Sequence, residues 1–267
     1  MRIAITIILN GDHHLAHNNY GERLPGMVDY WFVIEGPALP TGSTAWCNPP
    51  GCLNSTDTTI PFLDKICAIN ENVFLKSNRH SAWQSKDIMI NAAINMIKFY
   101  LKDKLDNENV FLWQVDIDEQ WNVGQLNEAE TMLIEYNADC GCFHANHYVG
   151  ENLIAKGTWG EGNQPGNPLA NAYRRLWKWN GQYFKSHEPP ILINGNGKEF
   201  LLPQRFNHYS YFYEKDVIFK SQYYKGYENL HNKWIQLQKE TAFPQPISRL
   251  IDGYWGNTDT VIERIAQ

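Results

Sequence analysis

The sequence predicts an α/β fold. Three observations carry that prediction: a near-continuous apolar run over 3–9, a second over 28–34, and a third over 110–115 that follows an amphipathic segment at 86–101. Runs apolar at nearly every position suit strands covered on both faces. Their alternation with helical periodicity suits a sheet flanked by helices.

The first strand, Ile3 to Leu9, ends at Asn10-Gly11-Asp12-His13-His14. It lacks the longer apolar stretch and small-residue cleavage site of a signal peptide, so a cytoplasmic protein is expected. His13-His14-x2-His17 would need helical geometry to gather a metal, and Asn18-Asn19-Tyr20-Gly21 argues for a loop instead. The second strand, Val28 to Ile34, leads into Glu35-Gly36-Pro37. Residues 37–61, rich in Pro, Gly, Ser, Thr and Asn, read as a long loop, and loops of that length usually have a purpose.

A helix follows from Lys86 to Leu101, with Ile90, Ile94, Ile97 and Leu101 on one face and Ser85 as N-cap. Val110 to Val115 is the third strand. Leu126, Ala129, Leu133 and Tyr136 mark another helix, 143–149 a strand, 156–171 a Gly/Asn/Pro-rich loop and 173–193 further strands. Helices are expected at 214–224, 227–240 and 258–266. No break or repeat divides the chain, so one domain over 1–267 is expected.

Composition excludes several classes. The 267 residues include 23 basic and 29 acidic side chains, a net charge of -6, 36 aromatic residues and 27 Asn. A mildly acidic chain without a basic block is no nonspecific nucleic-acid binder. No apolar run approaches a membrane span. Five Cys are too few for a disulfide scaffold in a chain this long. Cys47, Cys52, Cys140 and Cys142 lack the usual zinc spacing, so buried free thiols are expected.

The sharpest chemical feature is Asp116-Ile117-Asp118-Glu119, directly after the third strand. Ligands of open α/β sheets bind at the carboxyl ends of strands. Side chains alternate in a strand, so Asp116 and Asp118 are expected to point the same way, an oxygen site for a hard divalent cation. Such a cation could hold a diphosphate.

Strand, D-x-D and Glu in that order resemble the metal-binding elbow of nucleotide-sugar-dependent glycosyltransferases of the GT-A fold. Val28 to Glu35 looks like the second strand of family 2 and family 17 enzymes, the latter β-1,4-N-acetylglucosaminyltransferase-like. Ala82 to Asp87 opening the helix, Arg174-Arg175-Leu176-Trp177-Lys178 with His187-Glu188, and Phe206 to Tyr211 followed by Lys220 and Tyr223-Tyr224 are similar to further family segments. The family's Arg before Asn91 is Ile90 here. The resemblance spans about residues 1–230.

It implies a GT-A-like single domain: a central mostly parallel mixed sheet flanked by helices, with C-terminal helices. A nucleotide-binding part would cover about 1–120, an acceptor side 121–213 and C-terminal helices 214–267. The implied reaction moves a hexosyl or N-acetylhexosaminyl group, with inversion, from a nucleoside-diphosphate sugar to a hydroxyl of a glycan or glycoconjugate. Mn²⁺ or Mg²⁺ would assist. Asp118 would ligate the metal, Asp116 the ribose or the metal through water, and His208 the metal or diphosphate. Asn10 and Glu35 would lie at the nucleoside, and Lys86, Arg175 and Arg174 at the phosphates. Glu188 would be the base, with Glu161 and Asp139 as rivals. Trp159, Trp177, Trp179, Tyr183 and Tyr209 are candidates to stack on acceptor sugars. The alternatives are a noncatalytic carbohydrate-binding protein and a sugar-phosphate nucleotidyltransferase. The second would want a basic Gly-rich loop that Asn10 to His14 does not supply.

Overall fold

The computed structural model describes residues 1–105, 109–161, 169, 171–252 and 259–265. Its strands are β1 (Arg2–Ile8), β2 (Tyr30–Glu35), β3 (Val73–Ser77), β4 (Val110–Gln114), β5 (Glu119–Gln120), β6 (Cys140–Val149), β7 (Leu153–Lys156), β8 (Tyr173–Trp179), β9 (Phe184–His187), β10 (Pro190–Leu192), β11 (Glu199–Tyr211), β12 (Gln245–Pro246) and β13 (Val261–Arg264). Its α-helices are α1 (Asp12–Ala16), α2 (Tyr20–Arg23), α3 (Thr59–Ile69), α4 (Lys86–Tyr100), α5 (Lys102–Leu105), α6 (Val123–Glu135), α7 (Thr158–Glu161), α8 (Glu214–Tyr223) and α9 (Leu230–Lys239). Among the described residues no helix is long and apolar enough to cross a membrane.

The chain forms two compact units. The first is Met1–Asp118, Asn122–Gly141 and Arg174–Phe200; the second is Glu119–Trp121, Cys142–Tyr173 and Leu201–Gln267. In the first, β3, β2, β1 and β4 lie side by side and parallel, and β8 joins β4 antiparallel. The fold is therefore α/β with a mostly parallel sheet flanked by helices. Its central strands β1, β2 and β4 are largely apolar because both faces are covered. Ile3, Ala4 and Ile5 of β1, Trp31 to Ile34 of β2, and Leu112 and Trp113 of β4 are buried. The expected face of α4 is buried too, through Ile90, Ile94 and Ile97, and Ser85 caps it by accepting from the Ile88 N–H at 3.1 Å. Helix α6 starts in a reciprocal Asn122–Gln125 capping box. Its Glu130 takes Arg2 from β1 at 2.5 and 2.8 Å and the Trp113 indole from β4 at 2.8 Å.

The second unit holds β6, β7, β13 and β12 as successive neighbours, with β11 paired to β5 and β6. Helices α8 and α9 contribute Val217, Leu230 and Leu237 to a core with Val149, Leu153, Trp159, Tyr211 and Ile262.

Four expectations need correction. Residues 261–264 form a strand, since Val261 to Arg264 pair antiparallel with β7. An apolar pair such as Val261-Ile262 suits either state, and the free edge of β7 decides. The segment after His13 is helical, because α1 and a 3₁₀ turn at His17–Asn19 tolerate Asn18 and Asn19 at positive φ. Tyr136 lies beyond α6, 42% exposed, stacked on Phe200. Finally, α3 and β3 fall where a loop was expected to end and where no element was expected.

One buried polar bridge fixes the sheet near the acidic elbow. Thr6, with no exposure, donates to the Val115 carbonyl at 2.8 Å and accepts the Trp31 indole N–H at 2.8 Å. Thr6→Val keeps the shape but orphans both partners, so a loss of about 1–3 kcal/mol is expected by urea unfolding, largely restored by Thr6→Ser. A loss below about 0.5 kcal/mol would show the bridge to be dispensable.

Candidate functional site

The parallel register brings Ile8, Glu35 and Ser77 level with one another at the carboxyl edge. There the chain uses polar side chains to pin its long loop. Asn10, at φ 52°, donates its N–H to Ser55 Oγ at 3.0 Å and accepts the Thr56 N–H on Oδ1 at 2.7 Å. Glu35 is fully buried; one carboxylate oxygen accepts the Ser55 N–H at 2.9 Å and the other accepts the Ser77 hydroxyl. Asn10 and Glu35 thus order residues 54–56, and any role of Glu35 at a nucleoside runs through that loop.

The elbow itself differs from the expected geometry. Strand β4 ends at Gln114, and residues 117–118 turn before β5. Asp116 and Asp118 therefore flank a turn around the buried Ile117 and owe nothing to strand alternation. Asp116 pairs with Arg175 at 3.0 Å, where the arginine side chain is only 6% exposed. Gln114 Nε2 lies 3.4 Å from its other oxygen. Asp118 is half-buried.

The residue that gathers the others was not among those singled out. His187, at the end of β9, is buried, and Gln114 Nε2 lies 3.4 Å from its Nε2. Burial, first of all, pushes its imidazole below the ordinary value of 6.5. Lys86 and Arg175 push the same way, while Asp116 and Glu188 pull upward. Four predicted side chains, Lys86, Asp116, Arg175 and Glu188, thus act on the charge of a histidine to which no role was assigned. Among the described residues, neither His187 Nδ1 nor Gln114 Oε1 has a hydrogen-bond partner.

Helix α4 positions this group. Lys86 is its first residue. Asp87 accepts the Ser43 N–H at 2.8 Å and the His187 N–H at 2.7 Å, tying the 37–61 loop to β9. Gly42 is needed beside it, because a Cβ there would meet Asp87 Oδ2 at 2.0 Å and its φ is +62°. Asn91 grips β9 from both sides, donating to the Phe184 carbonyl and accepting the Phe184 N–H, each at 2.9 Å. Glu188 is exposed on the turn that follows, its N–H on Ser43 Oγ at 3.2 Å.

Other predicted residues lie in different settings. Arg174 makes a two-pronged pair with Glu199 at 2.6 and 2.8 Å. Asp139 accepts the Lys198 N–H at 2.8 Å beside Gly197, a turn-holding role. The side chain of Glu161 lies outside the described residues. In the second unit, His208 Nδ1 is 3.0 Å from His147 Nδ1, among the rings of Tyr173 and Phe206. Trp159, Trp177, Trp179 and Tyr209 are buried, so core packing occupies them. Tyr183 alone of the five is partly exposed, with its hydroxyl on Asn95 and Lys98 over its ring. All five cysteines are free thiols, with Cys47, Cys140 and Cys142 buried.

No protein-family model and no curated protein matches this chain. Among solved structures it is similar to S. aureus TarS 1-349 in complex with UDP-GlcNAc, at 14% identity and TM-score 0.47, covering 88% of this chain and 70% of that one. The same protein in complex with UDP gives 14% and 0.44 over 88% and 70%. A 4-diphosphocytidyl-2C-methyl-D-erythritol synthase gives 14% and 0.36 over 66% and 74%.

The lowered His187 value has a signed consequence. Above pH 6.5 the imidazole is neutral in both states and adds no pH dependence. Below it the unfolded chain takes up a proton that folded His187 resists, so stability falls with pH. His187→Gln should flatten the stability slope between about pH 6.5 and 5 by up to about 1.4 kcal/mol per pH unit. An unchanged slope in urea titrations across that range would refute the assignment.

Proposed function

We propose that this chain is a glycosyltransferase moving a sugar from a nucleoside-diphosphate sugar to a hydroxyl of a glycan or glycoconjugate. The observation that carries the reading is the Arg175–Asp116 pair just after β4, joined through Gln114 to the buried His187, whose charge Lys86 and Glu188 also influence. Displacement at the anomeric carbon builds negative charge on the departing diphosphate. Fixed cations at that place stabilise the transition state more than the ground state. Lys86 supplies a point charge, and Arg175 a planar donor pair already oriented by Asp116.

Asp118, half-buried at the turn, is the proposed direct ligand of a divalent cation. Its hard oxygen suits Mn²⁺ or Mg²⁺, which keep open positions for water and diphosphate oxygens. When bound, the ion would neutralise charge on the leaving group. Asp116 is engaged with Arg175, so its part is the indirect one, through water or at the ribose. The third-ligand role for His208 rests on the family resemblance alone. Glu188, exposed on its turn, is the proposed base that takes the acceptor proton in a single inverting displacement.

Thermal shift against a panel of nucleotides and nucleotide sugars, with and without Mn²⁺, tests the reading. One nucleoside diphosphate should stabilise by about 2.7 kcal/mol at a hundredfold excess over Kd, and more with Mn²⁺. Arg175→Ala and Lys86→Ala should weaken that response. Stabilisation by free glycans with none by any nucleotide would favour a binding protein instead. With a donor in hand, Asp118→Ala and Glu188→Gln should each lower transfer by about 10²–10⁴-fold. Wild-type transfer in either variant would remove that residue from the mechanism.

A further inference from the structure

The His-His-x2-His segment has no part in that proposed reaction. Helix α1 carries Asp12 and His13, and the loop before α3 carries Asp57. One ligand atom from each lies within 4.8 Å of the other two. His13 Nδ1 is 3.3 Å from Asp12 Oδ1. Imidazolium–carboxylate hydrogen bonds usually close to about 2.7–2.9 Å. Two donors each about 2.1 Å from a shared ion would stand at a comparable spacing, so an ion fits between them without moving either side chain far.

The carboxylates are held from outside. Thr58 donates its hydroxyl to Asp12 Oδ2 at 2.7 Å and its N–H at 3.3 Å. Asp57 accepts the Thr59 N–H on Oδ1 at 3.0 Å and the Asp12 N–H on Oδ2 at 3.3 Å. Such bonds orient ligand oxygens around a metal. The His14 ring, 4.1 Å from that of His13, steadies the imidazole. Two carboxylates brought this close repel, and a cation among them offsets the repulsion. The His13 side chain is 10% exposed and that of Asp12 21%, so the atoms are shielded yet reachable.

We propose that Asp12, His13 and Asp57 form a divalent cation site of one imidazole nitrogen and two carboxylate oxygens, separate from the Asp118 ligand. The imidazole selects a first-row transition ion such as Zn²⁺ over Mg²⁺ or Ca²⁺.

Isothermal titration of Zn²⁺ into the full chain tests this without nucleotide or activity. One equivalent should bind the wild type, excess Mg²⁺ should not displace it, and Asp118→Ala should leave it unchanged. His13→Ala and the conservative Asp57→Asn should each weaken binding at least tenfold, with circular dichroism confirming that both remain folded. No Zn²⁺ binding, or unchanged affinity in both variants, would overturn the proposal and leave a plain His–carboxylate pair. Loss on His17→Ala without loss on Asp57→Asn would also overturn it, as a chelate of neighbouring histidines.

Discussion

The parallel register of β1, β2, β3 and β4 is the constraint on which the rest of the first unit depends. Parallel strands need crossovers, and crossovers bring every strand out at the same edge. Register then decides which residues meet there. Glu35 is level with Ile8 on one side and Ser77 on the other, while β4 ends opposite Ile5. Residues 115–118 therefore leave the sheet beside an edge already built from Asn10, Glu35 and Ser77. The Thr6 hydroxyl locks the arrangement by joining β1, β2 and the residue before Asp116.

That edge separates two kinds of polar residue. Asn10, Glu35 and Asp87 are acceptors for backbone N–H groups of the 37–61 loop or of β9. A loop that long has little hydrophobic surface to hold it, so buried carboxylates and amides do the holding. Lys86, Arg175, Asp116 and Glu188 are different: each acts on the charge of His187, and Arg175 pairs with Asp116 at 3.0 Å. The first group makes the second possible, because Asp87 and Asn91 fix β9 and with it His187 and Glu188.

Much of the fold was legible because burial on both faces leaves no choice of residue type. Strands β1, β2 and β4 and the apolar stripe of α4 declare themselves in that way. Strand β3 did not, because Val73-Phe74-Leu75-Lys76-Ser77 is short and only its first residue is buried. Helix α3 hid behind Pro61, which reads as a loop signal yet is tolerated in a first helical turn. At the site, Lys86, Asp116, Arg175 and Glu188 were reachable from motif and order. His187 entered only as part of the His187-Glu188 segment, with no role, because a sequence does not show which polar side chain a fold buries. In the fold β9 pairs with β10, Asn91 of α4 holds Phe184, and the His187 side chain is buried. The D-x-D spacing was read as strand alternation, but β4 ends at Gln114 and residues 117–118 turn.

In the proposed function, the Arg175–Asp116 pair is what would let a mildly acidic chain serve an anionic ligand. An arginine side chain only 6% exposed loses most of its hydration. Breaking a buried pair by removing one partner typically costs about 3–5 kcal/mol, because the remaining charge is stranded. Asp116 thus keeps the guanidinium in place and aimed before any ligand arrives. The same pairing engages one oxygen of Asp116, which is why the proposed reaction gives the direct metal role to Asp118. In the proposed reaction the two aspartates of one motif therefore divide the work: one organises a cation of the protein, and the other receives a cation from solution.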